Sequence, residues 1–236
     1  MSKLSEENFA AIKSEIQDGR LTLAGMRGYL MGLLLISGFF VGLSFAVANA
    51  NTVGWDTLSS GWHMIYYMEA VLFCIHILLL LFCWGSNQVS QKMLSIGMVL
   101  FTYKAALDPY LLVIMFSKDR GKDDSVIPII LIILVSGFIL HLVILFKWIK
   151  SLKDKKKKTN ERGTIYFVLA PVVAILTTIT TIVIKNGMLG EFDLLFGLFI
   201  VTVVYLGLLI GVCEFIIAMY CIFKFPSFSV KNFSHR

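Results

Sequence analysis

The stretch VIPIILIILVSGFILHLVILF, residues 126–146, holds one histidine and no charged side chain. About 20 apolar residues in a helix match the roughly 30 Å hydrocarbon core of a bilayer. Comparable runs recur, and together they define six segments: 27–48, 63–84, 93–117, 126–147, 164–185 and 193–223. Composition agrees, with 58% hydrophobic and 15% charged residues among 236, against about 45–50% and about 25% in soluble domains. The sequence therefore predicts an all-α, polytopic membrane bundle of six transmembrane helices, with no room for a separate soluble domain. It divides into an amphipathic helix over 1–25, the membrane domain over 26–224, a basic loop over 148–163 within it, and a tail over 225–236.

Orientation follows from the cations. With the N-terminus inside, one side holds Lys3, Lys13, Arg20, Arg27, Lys92, Lys147, Lys150, Lys153, Lys155, Lys156, Lys157, Lys158, Arg162, Lys224, Lys231 and Arg236, sixteen in all. The other side holds the four residues Lys118, Arg120, Lys122 and Lys185. That imbalance predicts both termini in the cytoplasm of a cell membrane. The Lys155–Lys158 run is expected to meet anionic lipid headgroups. No aromatics interleave it and no nucleic-acid module surrounds it, so nucleic acid is not an expected partner.

Ala48-Asn49-Ala50 has the small-x-small form of a signal-peptidase site, but the long N-terminal extension and the roughly 20-residue apolar run before it favour an uncleaved span. The last segment exceeds the membrane thickness and must tilt, kink or protrude. At the N-terminus, Ser5 is placed to cap a helix carrying Glu6 and Glu7 in its first turn, with Leu4 stapled onto Phe9. Phe9, Ile12 and Ile16 share a face, and Gly19 supplies the stop. That face can pack on the protein's own loops or lie in the lipid interface. Trp55 and Trp62 suit an interfacial aromatic belt.

Six ionisable residues fall inside the predicted spans: Glu69, His76, Lys104, Asp108, His141 and Glu214. Such residues face a partner or a wet cavity, because a charge facing lipid is costly. Glu69, His76 and Cys83 recur every seven residues and share one side of the second span. Lys104 and Asp108 are an i, i+4 pair on the third, and Pro109 frees the Ala105 carbonyl beside them. Depth counting places Glu69 level with Asp108, and His76 level with Lys104. The four are expected to face one another, either as a pathway for a proton, ion or polar substrate or as a buried clasp that sets helix register.

His141 reads as a hydrogen-bonded packing residue. Gly207, Gly211, Glu214 and Ala218 form a small-residue face on the last span, expected to pack closely against another helix with Glu214 accepting hydrogen bonds across the seam. Gly28/Gly32, Gly38/Gly42 and the Ala170–Thr181 face are further close-packing candidates, and Pro171 should kink the fifth span. Cys74, Cys83, Cys213 and Cys221 all lie in or at spans, without disulfide or metal spacing.

No P-loop, HExxH, GxSxG or Cys/His metal motif occurs, so no catalytic residue, cofactor or metal is expected, and the chain is not expected to be an enzyme. Six spans with both ends inside and a leading amphipathic helix resemble the small permeases of bacterial ABC-2-type exporters, including lantibiotic-immunity transporters. The resemblance is of architecture. It implies an ATPase partner, although the loop GSNQVSQK (85–92) is too short for a substantial coupling helix and leaves that task to the basic loop. The alternative is a non-transporting accessory or immunity-type protein that binds another membrane protein through its helices. The lysine-rich, short-loop style suits a bacterium.

Overall fold

The computed structural model of the protein describes residues 5–50, 54–153 and 192–229. Among them are a 3-10 turn, Glu6–Phe9, a short helix α1 (Ala10–Gln17), and five long helices: α2 (Leu23–Ala48), α3 (Ser60–Phe82), α4 (Gln88–Asp119), α5 (Asp123–Lys153) and α6 (Phe192–Lys224). Each of the five is long and apolar enough to cross a membrane. The sixth expected span, 164–185, and the Lys155, Lys156, Lys157 and Lys158 run lie outside the described residues, as do Leu4 and Pro171.

Local chemistry sets the helix ends. Thr22 Oγ1 accepts the Gly25 N–H at 3.2 Å to start α2, and Asn87 Oδ1 accepts the Ser90 N–H at 2.7 Å to start α4. The α4 start lies five residues ahead of the apolar segment at 93 that the sequence marks. Polar residues extend a helix at the membrane surface once their side chains find partners, and Gln91 donates to the Phe228 carbonyl at 3.1 Å. Gly121, at φ +63°, closes α4. The Lys122 N–H reaches back to the Ser117 carbonyl at 2.8 Å, and the Gly121 N–H reaches the Lys118 carbonyl at 2.9 Å. The chain can then reverse directly into α5.

α4 is the central helix. It packs chiefly against α2 and α6, while α3 lies outside α2 and α4, and α5 lies outside α4 and α6. α3 is the least buried of the five long helices. One end of the bundle, here the N-terminal face, gathers the starts of α2 and α4 with the ends of α3, α5 and α6. Arg27 donates to the carbonyls of Cys83 and Gly85 at 3.1 and 2.7 Å. At the opposite face Arg120 at the end of α4 meets Asp193 at the start of α6, 3.1 Å away.

The N-terminal helix docks on the protein itself, which decides between the two placements open to it. Phe9 and Ile16 are buried, Ile12 packs beside them, and the Phe9 ring lies 5.7 Å from Phe225 and 6.0 Å from Tyr220. Asn8 Nδ2 donates to the Leu152 carbonyl at 2.7 Å, and Gln17 Nε2 to the Ser227 carbonyl at 3.2 Å. α6, at 33 residues, contributes Tyr220 near its C-terminal end to this seat.

Of the expected packing glycines, Gly38 has a neighbour: a Cβ there would be in ordinary contact with Phe73 of α3. A Cβ at Gly28, Gly32, Gly42, Gly207 or Gly211 would meet nothing within 4 Å among the described residues, and the expected span 164–185 lies outside them. Gly97 and Gly137 are the close approaches: a Cβ would strike Leu79 at the first and Tyr205 at the second. Small-residue spacing alone carries no information about which side of a helix has a neighbour.

Candidate functional site

Three helices bring five side chains together about halfway along the bundle. α4 supplies Lys104 and Asp108, four residues apart and so on successive turns of one face. α3 supplies Glu69 and, one turn on, Phe73. α2 supplies Ser37. The Lys104 ammonium lies 2.7 Å from Ser37 Oγ, 2.8 Å from Asp108 Oδ2 and 2.5 Å from Glu69 Oε2, the last at an angle off a directed hydrogen bond. An ammonium has three donors, and three oxygens surround this one. Ser37 Oγ in turn donates to Asp108 Oδ2, so the three groups close a ring. The Phe73 ring lies 4.2 Å from Lys104 Nζ and adds a cation–π contact.

The site is enclosed unevenly. Side-chain exposure is 1% for Asp108 and 6% for Lys104, but 16% for Glu69. Glu69 is thus the member at the edge, on the least packed helix. The site sets two carboxyl groups against one ammonium.

His76 lies on the same α3–α4 interface but outside this ring of contacts. Its imidazole stacks on Phe101 with centroids 3.8 Å apart and planes 11° from parallel, and its Nε2 has no hydrogen-bond partner among the described residues. Phe101 precedes Lys104 by three residues, so the aromatic ring fills the place where the sequence spacing put the ammonium. The reason is axial: Glu69 and His76 are seven residues apart and Asp108 and Lys104 only four, so with Glu69 level with Asp108 the imidazole lies about 4.5 Å beyond Lys104, beside Phe101.

Ser37 and Phe73 are members that sequence reasoning missed. A lone serine in LLLISGFF is a hydroxyl in an otherwise apolar run. That was the available signal, and only its depth relative to Lys104 gives it meaning.

α4 carries a second polar junction on another side. Tyr103 OH lies 2.7 Å from His141 Nε2, and His141 Nδ1 lies 2.8 Å from the Leu209 carbonyl and 3.3 Å from Cys213 Sγ. Donation from Nδ1 to that carbonyl fixes the tautomer in which Nε2 accepts the tyrosine proton. Tyr205 OH donates to the Leu134 carbonyl at 2.8 Å, and Tyr110 OH to Thr202 Oγ1 at 3.4 Å. His141 therefore ties α4, α5 and α6 together as a neutral hydrogen-bonded post.

Among the described residues Glu214 meets the N-terminal unit. Its two oxygens accept from Arg20 at 2.6 Å each, clamping the segment after α1 to α6. Ala218 is buried beneath the N-terminal unit. The four cysteines are free, with Cys74 exposed and Cys83, Cys213 and Cys221 buried. Among the described residues no group of three or more His, Cys, Asp and Glu side chains could hold a metal ion.

Comparison with family models, curated proteins and solved structures returns no match, so what identifies this chain is its own architecture: an all-helical protein with five apolar helices fit to span a membrane around a buried Ser37–Glu69–Lys104–Asp108 cluster.

Proposed function

We propose that the protein crosses a cell membrane six times with both ends cytoplasmic, and that it is a small permease-like or transport-associated subunit whose Lys104 cluster exchanges a proton or a small monovalent cation. The crossing number is supported by the directions of α5 and α6. α5 ends at the N-terminal face and α6 starts at the opposite one, which agrees with one further crossing between them. The apolar run 164–185 supplies one crossing. Charge supports the orientation. Lys13, Arg20, Arg27, Lys92, Lys147, Lys150 and Lys224 belong to the N-terminal face, against Lys118, Arg120 and Lys122 at the other.

The observation that carries the exchange reading is the pairing of two carboxyls with one ammonium in a site nearly closed to solvent. With both carboxyls ionised the cluster holds one net negative charge in a low-dielectric setting, which is costly, and one added proton or monovalent cation removes it. Glu69 is placed to respond: if α3 shifts outward, Lys104 keeps Ser37 and Asp108 while Glu69 is released toward the exit. No bond-making chemistry enters this reading. An ATPase subunit would supply energy if the protein works as an exporter component, and the lysines at 155–158 would hold anionic headgroups.

Reconstituted proteoliposomes on a solid-supported membrane test this reading. A pH or sodium jump is expected to give a transient charge movement that Glu69→Gln abolishes while leaving the helical fold intact. Absence of a transient in the unaltered protein, or an equal one in the variant, would leave the cluster as a structural clasp.

A second reading draws on α3, whose outer face exposes Met64, Tyr67, Val71, Leu81 and Phe82. That face suits an accessory or immunity-type protein bound to a partner membrane helix. Retention of biological function when Lys104→Leu and Asp108→Leu are combined would favour it.

A further inference from the structure

A hard metal cation is held by several oxygens that converge on one point. Between α2, α3 and α4 three oxygens do converge, but the point is already filled: Lys104 Nζ lies 2.7 Å from Ser37 Oγ, 2.8 Å from Asp108 Oδ2 and 2.5 Å from Glu69 Oε2. The Phe73 ring, 4.2 Å from Nζ, covers a further side. A metal cation bound by the same oxygens would lie against the ammonium, where like charges repel. Displacing the ammonium would strand it, since the Lys104 side chain is only 6% exposed and a buried charge needs its partners. A proton meets neither obstacle, because it needs one lone pair on a carboxyl oxygen and no shell of ligands. The two carboxyls differ in what that proton would displace. Asp108 Oδ2 accepts from both Lys104 and Ser37, and its side chain is 1% exposed. Glu69 Oε2 touches the ammonium without a directed hydrogen bond, and its side chain keeps 16% exposure.

We propose that the ion this cluster exchanges is a proton, carried on the Glu69 carboxyl and not on Asp108, with Lys104 as the fixed cation that keeps metal ions out. The inference rests on the exchange reading of the same site. A proton from water adds to the Glu69 carboxylate and gives a neutral carboxylic acid. Lys104 stays an ammonium and Asp108 a carboxylate, so the cluster passes from one net negative charge to none. The groups that face Glu69 fit this step. α4 presents Lys104 and Asp108, and α2 presents the Ser37 hydroxyl. On α3 itself the Tyr66 hydroxyl is engaged with Ser44 Oγ at 3.2 Å, and His76 is stacked on Phe101. Neutral Glu69 no longer forms an ion pair with Lys104, which loosens α3, the least buried of the five long helices, from α4. Proton uptake and helix displacement are thereby linked through one contact.

Proteoliposomes of the full chain on a solid-supported membrane, with pH and alkali cation stepped separately, test the assignment. A pH step at constant sodium is expected to move charge, and a sodium or potassium step at constant pH to move no more than empty liposomes do. Infrared difference spectra of the reconstituted protein across the same pH range are expected to show a protonated-carboxyl band that titrates as a single proton. That band should be lost in Glu69→Gln and kept in Asp108→Asn. Glu69→Asp, which retains a carboxyl, should keep both the band and the charge movement. Charge moved by sodium or potassium at constant pH overturns the proton and leaves cation exchange standing. A band lost in Asp108→Asn but kept in Glu69→Gln overturns the assignment to Glu69. No charge movement under either step overturns the exchange reading, and this inference with it.

Discussion

α4 carries two polar centres one residue apart in sequence, and they solve the same problem differently. Tyr103 and Lys104 point about 100° apart around the helix, one toward α5 and α6, the other toward α2 and α3. Around His141 each polar atom meets a neutral partner: the tyrosine hydroxyl, a backbone carbonyl, a thiol. Around Lys104 the partners are ionisable, and the acids outnumber the base. The first arrangement costs little to bury and gives a fixed post. The second leaves Glu69 Oε2 off a directed hydrogen bond, is unbalanced in charge when both carboxyls are ionised, and sits beside the least packed helix. The contrast is between a neutral hydrogen-bonded junction on one side of α4 and an ionisable one on the other.

Lys104→Leu should break the comparison most severely. It leaves Glu69 and Asp108 facing one another without a counter-charge, and loss of one partner of a buried pair costs about 3–5 kcal/mol. Unfolding in mixed detergent micelles would read this. Adding Asp108→Leu to the same variant should recover most of the loss, since the stranded buried carboxylate is gone. A single variant as stable as the unaltered protein would mean the cluster is not paired as described.

Gly137→Ala probes the rigid side. The new methyl group strikes Tyr205, and over-packing of this kind costs about 1–3 kcal/mol. Tyr103→Phe should cost less, about 1–2 kcal/mol, because it strands His141 Nε2 without disturbing shape. Both variants should leave the charge movement assigned to the Lys104 side unchanged. If Tyr103→Phe silences it, the two centres act as one and the contrast is lost.

The smallest effects belong to the N-terminal clamp. Arg20→Ala removes a partly exposed pair with Glu214 and should cost about 1 kcal/mol or less, read as faster amide exchange over 8–20. At Glu6, a hydrogen bond from Lys13 and a second from Ser227 hold the carboxyl below its ordinary range. A carboxyl depressed in the folded state stabilises above its unfolded pKa, and that support fades as pH falls through the folded value. The exchange protection factor over α1 should therefore fall on acidification below the carboxylate range and stay flat from neutral pH upward. Glu6→Gln should remove the dependence.

Much of this was legible without coordinates. Hydropathy marks the five described spans to within a few residues, because a helix in hydrocarbon has no choice about its length. Lys104 and Asp108 meet because four residues make one turn. The partner that packs against a face was harder to read. Gly207 and Gly211 carry the same small-residue spacing as a packing seam and have no close neighbour among the described residues, whereas Gly97 and Gly137 have one without any such repeat. Ser37, the serine that closes the charged ring, is indistinguishable in sequence from Ser136 beside Gly137. His76 shares a stripe with Glu69 yet stacks on a phenylalanine.

By itself, the sequence determined the membrane-compatible helices and the residues whose burial demands a partner, because these follow from transfer free energy and from hydrogen bonds within one helix. The tertiary structure alone decided the partners the sequence did not name: Ser37 for Lys104, Tyr103 for His141, Arg20 for Glu214. Those choices depend on the rotation and relative depth of separate helices, and a periodicity uncertain by tens of degrees cannot carry them.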